Sequence, residues 1–199
     1  IIFICVSVFF VEASIDLFAG ISAGESFRTL LSLPFSLTNF LHQPWSIITF
    51  TFGHKNVFHL LNNMVFLWIF GSIYELYQGQ KNYWTIFLLG SVFGAIMAIT
   101  LSYLFPALPF GNYLLGASAG VMAIVFAATF LHPNHEVNLL LIGRVQIKWI
   151  AFFAFLMDYA EIRSGNSGGL VAHLGGAFFG ALSILSMRNG FSIFFYLDK

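Results

Sequence analysis

Residues 172–180 read Ala172-His173-Leu174-Gly175-Gly176-Ala177-Phe178-Phe179-Gly180, an apolar stretch interrupted by one imidazole and three glycines. His173, Gly176 and Gly180 follow one another at spacings of three and four, so in a helix they share one face. Gly176 and Gly180 form a Gly-x-x-x-Gly pair, which lets two apolar helices approach backbone to backbone. An imidazole at the end of that glycine stripe lies close to the backbone of whatever helix packs there. A plainer reading of the same letters is packing alone, with His173 bonded to a carbonyl or a water.

This stretch belongs to the last of six apolar runs, at residues 1–11, 52–77, 83–105, 115–131, 148–160 and 169–187. Of the 199 residues 59% are hydrophobic and 8% charged, against about 25% charged in soluble domains. The mean hydropathy is +0.88. A membrane-spanning helix takes ~20 apolar residues, so the chain has room for these spans and for no soluble domain beside them. The predicted fold is an all-α polytopic membrane protein, one domain over residues 1–199 with six transmembrane helices. The first run lacks an initiating Met, a basic flank and a cleavage site, and reads as a first span truncated at its amino terminus. Residues 12–51 carry Asp16, Glu25, Arg28, Pro34 and Pro44 among scattered Phe and Leu. They are expected to form a membrane-associated first loop, with Trp45 as an interfacial anchor. Residues 137–148 alternate with a period near two, the signature of a small interfacial hairpin.

Eight basic residues balance eight acidic ones, which excludes a nucleic-acid binder with a clustered basic face. Cys5 is the single cysteine and reads as a small apolar side chain. Lys81, Arg144, Lys148, Arg188 and Lys199 fall on one side of the membrane, and Arg28, Lys55 and Arg163 on the other. That bias places both termini inside.

Polar residues within apolar spans are the informative ones, because burying them without a partner is costly. They form three clusters: His54, His59, Asn63 and Glu75 in the second span, Gly116-Ala-Ser118-Ala-Gly120 opening the fourth, and His173 with its glycines in the sixth. Ser118 sits where a helix begins, so unpaired backbone N–H groups surround its hydroxyl; a helix N-cap is the bland alternative. His59 and Asn63 lie four apart on one face, a donor pair able to hold a developing oxyanion. A metal site at His54 and His59 is disfavoured, since a spacing of five aligns poorly and no H-E-x-x-H is present. Glu75, at the opposite end of its helix, and Asp158, near the end of the fifth span, read as structural acceptors for adjacent loops. A nucleophile, a base and an oxyanion pocket are the parts of acyl transfer, and all three clusters fall toward the same side.

In order, spacing and helix placement, His54-x4-His59-x3-Asn63, Glu75, Gly116-x-Ser118 and Ala172-His173-x2-Gly176-x3-Gly180 resemble the rhomboid family of intramembrane serine proteases, of bacterial type. The resemblance implies a Ser118/His173 dyad without a carboxylate third member. It implies an oxyanion hole from His59, Asn63 and the Ser118 backbone amide, with His54, Gly116, Met122, Gly176 and Gly180 as structural residues near the site. Transmembrane protein substrates, cut near the outer membrane face, and the lipid bilayer are the implied partners; no metal or organic cofactor is implied. The implied location is a bacterial inner (plasma) membrane with the site facing outward. Three positions depart from well-known bacterial members. The first-loop Trp-Arg signature reads Trp45-Ser46, so the arginine's hydrogen bonds must come from elsewhere. Ala119 follows the serine, and Met122 stands where an aromatic is often found. The polar residues 161–168 are expected to cap the site. The alternatives are a non-catalytic rhomboid-like scaffold and a small transporter. Gly90-x3-Gly94 fits either a dimer contact or packing inside the bundle.

Overall fold

Asn56 opens the longest helix of the chain: its side chain accepts a hydrogen bond from the His59 backbone N–H at 2.9 Å, satisfying one of the free donors of a helix start. In the computed structural model, which describes residues 1–140, 142–160 and 167–191, this helix, α5, runs from Val57 to Leu104 over 48 residues. Gly79 interrupts it with φ +78°, ψ +164°, a backbone conformation that side chains disfavour. A single residue thus does the work of the polar connection expected at 78–82. Gly71 on the first arm lies against the ring of Tyr83 on the second, so the two arms double back on each other.

The remaining helices are α1 (Ile2–Ala19), α2 (Ile21–Leu31), α3 (Leu37–His42), α4 (Ser46–Thr49), α6 (Ser118–Leu131), α7 (Ile147–Ala160) and α8 (Ser167–Arg188). Among the described residues α1, α5 and α8 are long and apolar enough to cross a membrane, and α6 is a shorter apolar helix. Both arms of α5 pack with α6 and α8 around Leu67, Phe70, Tyr74, Phe87, Ile124 and Ile184, all buried. Phe3, Phe10, Phe58 and Trp68 face outward, as lipid-facing side chains do. Cys5 is fully buried in the same core.

Gly90 and Gly94 pack inside the bundle. A Cβ at Gly90 would overlap that of Ala123, and one at Gly94 the carbonyl of Ala172. The hairpin expected near residue 137 is present as β3 (Glu136–Leu139) and β4 (Gly143–Gln146), antiparallel with Glu136 opposite Gln146. Lys199, Arg163 and most of the loop expected to cap the site lie outside the described residues.

The first helix is longer than its apolar run, and Glu12 explains why. The reading of residues 1–11 stopped at this acid, yet Glu12 is 4% exposed and helical. Arg28 on α2 donates from Nε to Glu12 Oε1 at 2.6 Å and also pairs with it through Nη2. That hydrogen bond is the main influence raising the Arg28 pKa above its ordinary value. Breaking a buried pair by removing one partner strands the other charge. Arg28→Met is therefore expected to destabilise the protein by about 3 kcal/mol, read as a lower midpoint of chemical unfolding in detergent. An unchanged midpoint would show the pair to be dispensable.

The first loop, residues 20–52, is ordered by short elements and backbone anchors. Gln43 Nε2 donates to the Ser32 carbonyl, Trp45 Nε1 to that of Leu30 and Thr49 Oγ1 to that of Leu31, at 2.9, 3.0 and 3.1 Å. These bonds are the source the Trp45-Ser46 departure called for. Strand β1 (Leu33–Pro34) pairs with β2 (Tyr113–Leu114), and the Gly116 N–H bonds the Phe50 carbonyl at 2.9 Å. The first loop therefore holds the segment that leads into α6.

Candidate active site

Ser118 is the first residue of α6, and Ala117, not Ser118, is its N-cap. The serine hydroxyl makes no capping bond. Its Oγ instead lies 2.6 Å from His173 Nε2 on α8, a hydrogen bond joining residues 55 positions apart. The glycine stripe sets that distance. A Cβ at Gly176 would overlap the Ala119 carbonyl, and one at Gly180 the Ala123 carbonyl, so α8 lies directly on the α6 backbone and brings the imidazole to the head of α6.

Gly116 has φ +144° and occupies the gap between two site residues. A Cβ there would lie 2.7 Å from His59 Cε1 and 3.5 Å from Ser118 Oγ. His59 and Ser118 thus flank a space that only glycine leaves open. His54 is fully buried and holds the His59 ring edge to face, with centroids 5.2 Å apart. Asn63, one turn beyond His59, is 4% exposed. Its Nδ2 has no hydrogen-bond partner among the described residues, leaving the amide free to donate. His59, Asn63, Ser118, Met122 and His173 all line one cavity of about 520 Å³. Phe153 and Met157 of α7 also line it.

Two acidic residues behave differently from the sequence reading. Glu75 is exposed, and among the described residues its carboxylate accepts no hydrogen bond from a loop. Asp158, read as a loop acceptor, instead reaches the cavity, where its Oδ2 lies 2.9 Å from His173 Nδ1. The expectation of an imidazole without a carboxylate neighbour is corrected accordingly. The two side chains are 21% and 24% exposed, so the contact sits at the cavity mouth and not in the sealed core. Sequence spacing gives no sign of it, because 158 and 173 lie on different helices. The one available signal was general: an ionisable side chain in an apolar helix asks for a partner.

Chemically, a serine hydroxyl bonded to an imidazole, beside a buried amide donor and the free N–H groups of a helix start, can deliver a nucleophile to a carbonyl and hold the resulting oxyanion.

A family model described as Rhomboid domain matches residues 41–189. The chain is similar to "RHOMBOID-like protein 12, mitochondrial" of Arabidopsis thaliana, 30% identical over 78% of this chain and 50% of that protein. It is similar to "Rhomboid protein 1, mitochondrial" of Saccharomyces cerevisiae, 29% identical over 69% of this chain and 40% of that protein. "Rhomboid-like protein 11, chloroplastic" of Arabidopsis thaliana is 26% identical over 70% of this chain and 51% of its own length. The chain thus spans about half the length of these relatives or less. Their mitochondrial and chloroplastic names overturn the expected bacterial plasma membrane, an assignment that departures at three loop and helix positions did not test.

Proposed function

The chain belongs to the rhomboid family, and from that premise we propose that it is an intramembrane serine endopeptidase of an organellar membrane, cutting transmembrane segments of other membrane proteins. The observation that carries the reading is the 2.6 Å bond from Ser118 to His173 inside a cavity that also holds Asn63 and His59. Six crossings are counted by treating α1, the two arms of α5, α6, α7 and α8 as spans.

His173 Nε2 takes the Ser118 proton as Oγ bonds to the scissile carbonyl carbon, and the carbonyl oxygen becomes an oxyanion. Asn63 Nδ2, His59 and the amide of Ser118 hold that charge. Collapse breaks the C–N bond as His173 returns the proton to the departing amine. A water, activated by the same imidazole, then hydrolyses the acyl-enzyme. The site lies at the amino-terminal ends of α5, α6 and α8, so cleavage falls near one membrane face, where water can enter.

The test is reconstitution of the purified chain in liposomes with a model transmembrane substrate, with and without a fluorophosphonate. Cleavage that stops as the probe becomes bound to the Ser118 peptide supports the reading. Cleavage untouched by a probe that has fully reacted with Ser118, or a chain that neither cuts nor reacts, removes it. Within this mechanism Asn63→Ala is expected to lower kcat by roughly 10²–10³-fold with KM little changed. A kcat equal to that of the parent would take Asn63 out of the oxyanion pocket.

A further inference from the structure

We propose that Asp158 is a positioning residue for His173, turning the Ser118/His173 pair into a three-residue chain; this rests on the reading of the site as a serine protease. The three groups stand in line. Ser118 Oγ lies 2.6 Å from His173 Nε2, and His173 Nδ1 lies 2.9 Å from Asp158 Oδ2. A carboxylate only accepts, so the proton of the neutral imidazole resides on Nδ1. The Nε2 lone pair then faces the Ser118 hydroxyl. Without that acceptor an imidazole is free to carry its proton on Nε2, where it cannot act as a base toward Oγ.

The carboxylate also answers the charge that develops during attack. When Oγ bonds to the carbonyl carbon and its proton moves to Nε2, His173 becomes an imidazolium with both ring nitrogens protonated. Asp158 keeps its negative charge and continues to accept from Nδ1. When the C–N bond breaks, the Nε2 proton leaves with the amine, and the original tautomer is restored. No proton moves to Asp158 at any stage.

Location argues against a purely architectural role. Asp158 is about a quarter exposed at the end of α7 and lines the same cavity as the serine. α7 touches α6 and α8 sparingly, while α6 and α8 hold each other through glycine contacts that do not involve this side chain. Removing the carboxylate therefore leaves the α6–α8 contact intact.

The experiment compares Asp158→Asn, Asp158→Ala and Asp158→Glu with the parent in liposomes, measuring kcat and KM for the transmembrane substrate, the fluorophosphonate reaction rate and the thermal midpoint. Asparagine keeps the shape but removes the negative charge and offers Nδ1 a donor as readily as an acceptor, so the productive tautomer is no longer fixed. It is expected to lower kcat by roughly 10²–10⁴-fold with KM and thermal midpoint unchanged, and to slow the probe reaction in parallel. Glutamate is expected to restore part of kcat. A kcat for Asp158→Asn within about threefold of the parent, while Ser118→Ala is dead, sinks the positioning role and leaves the protease reading standing. A lowered thermal midpoint with kcat retained in the folded fraction assigns Asp158 to structure and overturns the proposal. A parent chain that neither cuts nor reacts removes both readings.

Discussion

Ser118→Ala is expected to lower the cleavage rate by on the order of 10⁴-fold or more, with the thermal midpoint unmoved. Among the described residues the side chain makes one polar contact, the 2.6 Å bond to His173, and caps no helix, so its removal is expected to delete chemistry and spare the fold. Among the described residues no other serine or threonine lines the cavity. Ser91 is tied to the Phe87 carbonyl at 2.8 Å and to Thr51 Oγ1 at 3.0 Å, buried away from the cavity lining. Groups that act as one unit give losses that do not add. His173→Ala is therefore expected to match Ser118→Ala, and the double variant to be no worse than either. Substrate turnover in liposomes measures all three. Undiminished turnover by Ser118→Ala would leave the nucleophile elsewhere, and a double variant far below both singles would separate the two side chains functionally.

Gly176→Val should produce the largest loss among changes that touch no reacting atom. A Cβ at this position would overlap the carbonyl of Ala119, a backbone atom that cannot swing aside as a flexible side chain can. The helices must part. Overpacking costs ~1–3 kcal/mol in ordinary cores, and the upper end applies where backbone opposes backbone. The same displacement separates Ser118, adjacent to Ala119, from His173, three residues before Gly176. A misplacement of ~1 Å costs about 100-fold in rate. The variant is thus expected to lose both thermal stability and kcat, whereas Ser118→Ala loses kcat alone. Wild-type unfolding and turnover in Gly176→Val would mean that α6 and α8 do not need this contact.

How much of this was readable in advance depended on whether the signal was local. The apolar runs mark helices because burial in lipid demands internally satisfied backbone, and β3–β4 declared itself by alternation. The glycine stripe of α8 also reads from spacing, since residues 173, 176 and 180 share a face in any helix. The end of α1 does not read from the sequence, for a physical reason. Glu12 looks like a boundary until Arg28, 16 residues later, neutralises it. Asp158 was hidden in the same way: its partner belongs to another helix, and no periodicity links the two. The single-residue reversal at Gly79 was obscured because the flanking polar residues 78–82 resemble an ordinary connection, and only the positive φ shows that the helix resumes at once. The parts of acyl transfer read from the three polar clusters, and the family resemblance joined Ser118 and His173 as a dyad while arguing against a carboxylate beside the imidazole.

The bond between Ser118 and His173 closes a loop of 55 residues, and this has a consequence for biosynthesis. A ribosome releases the hydroxyl-bearing helix first, and the imidazole only when α8 follows. Until α8 docks, the nascent polypeptide holds an unactivated alcohol amid newly inserted apolar segments of its own. On the proposed function, hydrolytic competence therefore arises only when α8 docks on α6, after the apolar segments that precede it have been inserted.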